Sequence, residues 1–267
     1  MKKSIILAVA LILTFAAFSC KRKTDKKALP DAGMAHEIAA YAPLPTFREV
    51  FRTLDQLPVK DISASLPTNP FKTIQEEGRN AFALGLLTAD AILASHSRNK
   101  TKLREYSQEM MKLTPLLKLE GEIDQLGNKL RILIERDQWE EIDGTLDLIR
   151  KEVENKLWDT ENKENYTLML LGGWTEGVNR IAWIINSDFI DAKTQVLNHK
   201  DTWKYLIGNL EMIQSPRIKE APYFVQVMPL IKDIQAVINA DNGGIYSKDQ
   251  LGKLIAATDN IKAAFSK

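Results

Sequence analysis

The sequence predicts an all-α protein: a bundle of about ten helices, built as two pseudo-repeated four-helix units around two long central helices. Three observations predict it. Apolar residues recur at spacings of three and four through most of the chain beyond residue 46, the period of a helix with one buried face. Proline, Asx-Gly and capping patterns cut that period into helix-sized segments, and no segment reads as a strand. Segments of the first half then match segments of the second at offsets of 87 to 112.

The chain opens with Met1-Lys2-Lys3 and about 14 apolar residues from Ile5 to Phe18. That is the charged n-region and apolar h-region of a secretory signal peptide, residues 1–19. The run is shorter than the roughly 20 residues a membrane-spanning helix needs. It ends in Ala17-Phe18-Ser19-Cys20, and Cys20 is the only cysteine, so no internal disulfide can form.

In these residues the chain resembles a bacterial lipoprotein precursor, whose cysteine is diacylated and becomes residue one. The resemblance implies lipidation at Cys20 and a membrane partner reached through N-terminal acyl chains, which hold stably when there are several. It departs from the family box at Ala17, where Leu is commonest, and at Phe18, which is bulky for its position. Ala17 and Ser19 also suit ordinary signal peptidase cutting at the same bond; a lone cysteine at the cut favours lipidation. Lys21, not Asp, follows the cysteine. By resemblance to Gram-negative lipoproteins, that implies an outer-membrane anchor facing the periplasm.

Residues 20–45 read as anchor and flexible tether, rich in Lys, Ala and Pro. The basic run Lys21-Arg22-Lys23-Thr24-Asp25-Lys26-Lys27 suits anionic lipid headgroups or a solvated linker. One all-helical domain follows, residues 46–267. Phe47, Val50, Phe51, Leu54 and Leu57 predict a short amphipathic helix, and Pro58, Pro67 and Pro70 bracket a loop.

Asn69-Pro70 predicts the start of the first long helix, running to His96. Helices over 102–113 and 115–135 follow, the second carrying Leu119, Ile123, Leu126 and Leu130. Asp137 with Glu140 has the spacing of a capping box and predicts a fourth helix through Leu157. The second half repeats the plan: a glycine-bearing helix over 165–186, one over 202–213, and a turn between Pro216 and Pro222. A helix from Phe224 to Ile238 comes next, with Pro229 expected to kink it or delay its start. Asp241-Asn242-Gly243-Gly244 predicts a turn, and Ser247 with Gln250 a capping box on the last helix.

The internal matches predict repeats over 70–158 and 163–265, against the alternative that any two amphipathic helices align on their apolar positions. Asp137-Gln138, Asp147 and Ile149 match Asp249-Gln250, Asp259 and Ile261 at an offset of 112, and the third helices match at 108. Leu84-Gly85 and Thr88 match Leu171-Gly172 and Thr175 at 87. A shift to 88 instead pairs Gly85 with Gly173 and Ala89 with Gly177, small residues four apart in both helices. Glycine costs a helix about 1 kcal/mol against alanine, so its retention in Leu171-Gly172-Gly173-Trp174-Thr175-Glu176-Gly177 predicts close backbone packing at Gly85, Ala89, Gly173 and Gly177. The Gly-Gly-Trp-x-Glu-Gly run also resembles helical lipoproteins of Gram-negative bacteria that carry no assigned activity.

Charge and motifs narrow the function. Without Lys2 and Lys3 the balance is 34 basic to 35 acidic residues, and five of the basic ones lie in the tether. No basic stripe remains, so nucleic acid is not an expected partner. His36, His96 and His199 lack metal-ligand spacing, and no phosphate loop, dinucleotide fingerprint or serine-hydrolase elbow occurs, so no cofactor or metal is expected.

What remains is a polar group on the glycine helix. Glu176, Arg180 and Trp183 share one face, either as a helix-stabilising Glu-Arg pair or as the polar patch of a ligand groove walled by Trp174 or Trp183. Asp90 lies at the equivalent depth of the first long helix, where two carboxylates brought together suit an acid/base pair or a cation site. Two functional classes stay open. One is a lipid-anchored, non-catalytic interaction or scaffold module with a protein partner in the envelope. The other is a binding protein holding a small apolar or amphipathic ligand between the units. Enzymatic activity is the least expected.

Overall fold

A computed structural model describes residues 51, 54, 59–69, 71, 76–160, 162–240 and 242–267. They are all-α: ten helices and two 3-10 turns, with no strand among the described residues. The helices are α1 (Val59–Ser65), α2 (Glu77–His96), α3 (Lys100–Leu113), α4 (Glu122–Glu135), α5 (Trp139–Asp159), α6 (Lys163–Ser187), α7 (Lys200–Glu211), α8 (Pro216–Lys219), α9 (Pro222–Ile238) and α10 (Lys248–Ser266). Among the described residues no helix is long and apolar enough to cross a membrane. The expected signal peptide, Cys20 and the expected tether lie outside the described residues, as does the 47–57 segment except for Phe51 and Leu54, both buried.

α2 and α6 form the centre. Both are buried around nearly their whole circumference, as a helix enclosed by others must be. They run parallel and side by side. Glu77 of α2 meets Asn165 of α6 at one end, and Asp90 meets Glu176 and Arg180 further along.

Between those ends the two backbones touch. A Cβ on Gly85 would fall on the Met169 carbonyl oxygen and 2.7 Å from the Gly173 amide nitrogen. A Cβ on Gly172 would fall on the Phe82 carbonyl oxygen and 3.2 Å from the Leu86 amide nitrogen. Each contact on one helix has its counterpart 87 residues along on the other, so the seam has a local pseudo-twofold. The register in which the glycines reciprocate is therefore 87, not 88. Gly173 enters the contact through its backbone nitrogen, while Ala89 and Gly177 are buried in the same helices.

The other helices wrap this pair. α3 and α5 pack on α2, α10 packs on α6 and closes with α9, and α1 lies on both central helices. Phe265 of α10 stacks on Phe82 of α2 at 3.8 Å between ring centroids and meets Tyr223 of α9 at 4.7 Å, joining three helices at one end of the core.

Several local expectations are corrected. The loop expected around 58–70 contains α1. The first long helix starts at Glu77, not Pro70: Glu76 is an extended N-cap, and Phe71 is not helical. The single helix expected over 115–135 is two elements, a 3-10 turn at Pro115–Leu117 and then α4. Lys118 (φ 57) and Gly121 (φ 96) take left-handed backbone between them, and the Asp124 carboxylate accepts from the Gly121 amide.

Asp137 does not cap α5. It holds φ 56 at the end of α4, where its amide donates to Ile134 O and the Gln138 amide to Leu133 O, a Schellman ending. Its carboxylate instead accepts from Lys100. Pro229 does not delay its helix, because α9 starts at Pro222 and runs through it. The turn expected at 216–222 contains α8, and a further 3-10 turn occupies Asp191–Leu197. The Ser247–Gln250 capping box forms as predicted.

Candidate functional site

One turn beyond the glycine seam, α2, α6 and α10 enclose a cluster of ionisable side chains. Glu176, Asn179 and Arg180 stand at i, i+3 and i+4 on α6 and so share a face. Asp90 reaches in from α2, and Thr258, Asp259 and Lys262 from α10. Glu176 is 1% exposed and Asp90 4%, so the carboxyls are out of contact with bulk water.

The contacts form a network. Arg180 Nη2 pairs with Glu176 Oε1, and Arg180 Nε stands 3.7 Å from Asp90 Oδ1. Lys262 Nζ lies 3.1 Å from Glu176 Oε2 and 3.1 Å from Asp259 Oδ1, and donates to Asn179 Oδ1 at 2.8 Å. The Asn179 amide group donates to Thr258 Oγ1 at 2.8 Å and to Asp259 Oδ1 at 3.0 Å. Asn179 thus ties α6 to α10 with both ends of its side chain.

Burial and the neighbouring Glu176 charge hold the Asp90 carboxyl well above the usual carboxylate range, with Arg180 and Lys262 offsetting only part of this. Burial also works to raise Glu176. Lys262, Arg180 and a hydrogen bond from Asp90 outweigh it and keep Glu176 below its ordinary value. Of the two carboxyls, Asp90 is therefore the one biased towards holding a proton and Glu176 the one biased towards ionisation. With Asp90 neutral, Glu176 and Asp259 balance Arg180 and Lys262, and the cluster carries no net charge. On α3, burial and Asp90 push the Tyr106 hydroxyl up, and that hydroxyl donates to Pro67 O at 3.1 Å.

The structure thus brings together Asp90, Glu176 and Arg180 from the residues singled out in the sequence. It separates the two tryptophans. Trp174 is fully buried with its ring 5.0 Å from that of His199, whereas Trp183 is 40% exposed, so they do not wall one groove. Sequence reasoning missed Lys262, the cation that neutralises Glu176. A signal for it existed: Asp259 and Lys262 sit 112 residues beyond Asp147 and Arg150. The matching positions are used differently. Arg150 pairs within its own helix, with Asp147 at 2.9 Å and Glu154 at 2.6 Å, while Lys262 reaches across to α6. The residue 87 positions before Glu176 is Ala89, so the first half has no equivalent carboxylate.

Chemically, the cluster is a buried ion network of two cations and three carboxyls, in which Asp90 Oδ1, Glu176 Oε2 and Arg180 Nε make no hydrogen bond. Each charged group's partner is another member, which is how a core tolerates buried charge. No group of three or more His, Cys, Asp or Glu side chains suited to a metal occurs among the described residues. An open cleft of about 420 Å3 lies elsewhere, between α3 and α4, and was not anticipated. Comparison with known proteins finds no matching family model, no matching curated protein and no matching solved structure.

Proposed function

We propose that the protein is a lipid-anchored helical module of the cell envelope that acts by holding a protein partner rather than by catalysis. The observation that carries this reading is the closed centre. Gly85 and Gly172 put the two main helices in backbone contact, and the carboxyls beside them are consumed by Arg180 and Lys262. A ligand held between the two units would need room along that seam, and the seam has none. Function then falls to the surface, where Trp183 and Tyr205 stand 40% and 48% exposed, aromatic types that anchor protein interfaces.

The anchor rests on the signal-like N-terminus and the lone Cys20. Cys20→Ala abolishes acylation and moves the protein from the membrane to the soluble fraction; retention of both properties refutes the anchor. A photo-cross-linker placed at position 183 or 205 in cells traps a recurrent envelope protein, and one at exposed Lys151 does not. Equal labelling at all three positions refutes the interaction surface.

A further inference from the structure

The α3–α4 cleft is a separate feature, sharing no lining residue with the charge cluster and unused by the reading above. α3 and α4 line it, and its α3 wall runs from Arg104 to Lys112. The eight helical steps between them give a trough about 12 Å long. At about 420 Å3 it falls in the size range of small-molecule sites, roughly 300–1,000 Å3.

Its floor is apolar for a definite reason. Gly127 of α4 presents no side chain, and the Met111 thioether lies against it, in the space a Cβ would take. Ile134 closes the same floor. A methionine over a glycine makes an adaptable surface, since the unbranched thioether can re-pack around different shapes.

The mouth is cationic. Arg104, Lys112 and Arg131 line it against a single carboxylate, Glu135. Arg104 is held by Glu135 through two hydrogen bonds of 2.9 and 3.0 Å, and Lys112 by Glu109 at 2.6 Å. Arg131 has no hydrogen-bond or ion-pair partner among the described residues. A guanidinium beside an apolar trough matches a planar anionic head in front of an alkyl chain.

We infer that the α3–α4 cleft binds a free single-chain anionic amphiphile, its chain over Met111, Gly127 and Ile134 and its carboxylate or equivalent head on Arg131. A protein helix is a poorer occupant. Two turns of trough fall far short of the 1,200 Å2 or more that a stable protein interface buries.

The test is calorimetric titration of the full chain carrying Cys20→Ala with dodecanoate below its micelle concentration, beside dodecanol and dodecyltrimethylammonium. Dodecanoate binds saturably at one site, dodecanol at least tenfold more weakly, and the cationic amphiphile not at all. Arg131→Glu, an exposed change that leaves the melting temperature unaltered, weakens dodecanoate at least tenfold, the scale of one charge-assisted contact. Ser107→Trp fills the cleft and abolishes binding. Absence of saturable binding, equal binding of the cationic amphiphile, or an Arg131→Glu affinity equal to wild type each overturns the assignment. So does binding only to anionic vesicles and not to monomeric dodecanoate. Should Ser107→Trp fail to fold, Arg131→Glu and the three-ligand series still decide it.

Discussion

Gly85 and Gly172 stand in the same relation to each other's helix: each lies over the carbonyl oxygen three residues before the other, Met169 O for Gly85 and Phe82 O for Gly172. The obstacle at both positions is backbone, which cannot swing aside as a side chain can. Gly85→Ala and Gly172→Ala are each expected to cost about 3 kcal/mol or more, because one methyl group forces the central helices apart. Urea unfolding measures it, and wild-type stability in either variant would contradict the seam.

Three other helical glycines have the opposite expectation. A Cβ on Gly144, Gly208 or Gly252 meets nothing within 4 Å. There glycine only enlarges the entropy of the unfolded chain. Alanine at each should raise stability by roughly 0.5–1 kcal/mol, read as a higher melting temperature.

The opposite biases of Asp90 and Glu176 predict different outcomes for the two carboxyls. Asp90→Asn mimics the protonated acid, so it should change stability by less than about 1 kcal/mol below pH 3.8, where the unfolded carboxyl is protonated as well, and should stabilise the protein at neutral pH. Glu176→Gln leaves Arg180 and Lys262 without their buried counter-ion and should cost about 3–5 kcal/mol. Equal effects in denaturant titrations would refute the proton assignment.

The same pair sets a pH dependence. Asp90 is raised above its ordinary 3.8, so its contribution is full below 3.8 and lost as pH rises through its folded value. Glu176 is lowered below its ordinary 4.5, so its contribution is full above 4.5 and lost as pH falls through its folded value. Above 4.5 only the Asp90 slope remains. The stability of Asp90→Asn relative to wild type should therefore grow with pH until Asp90 ionises. Parallel curves from pH 5 to 9 would exclude it.

Arg98 ends α2 in left-handed backbone at φ 51, with its amide donating to Ser95 O and the Asn99 amide to Ala94 O. This is a Schellman ending with a non-glycine residue where glycine is unstrained. Arg98→Gly should add about 1 kcal/mol, measured by thermal unfolding; a loss would show that the Arg98 side chain matters more than its backbone.

Most helices were legible in the sequence because their signals are local. The apolar spacing of α5, α6 and α10 and the Ser247–Gln250 box each depend on neighbours within one or two turns. Errors gathered where a local signal has two uses. Asp137 with Glu140 spells a capping box, yet Asp137 serves the end of the preceding helix and pairs with Lys100. Pro115 starts a 3-10 turn, and the left-handed backbone at Lys118 and Gly121 separates it from α4.

By itself, then, the sequence determined the helical class, the two long central helices and the presence of glycine on both. Helix period and glycine tolerance are written in adjacent turns. Only the tertiary structure decided that Gly85 faces Gly172 in the 87 register, that Lys262 neutralises Glu176, and that Trp174 and Trp183 part company. Those outcomes depend on how far each helix slides and rotates against the others. Packing of the whole core sets that slide, and no single stretch of chain records it.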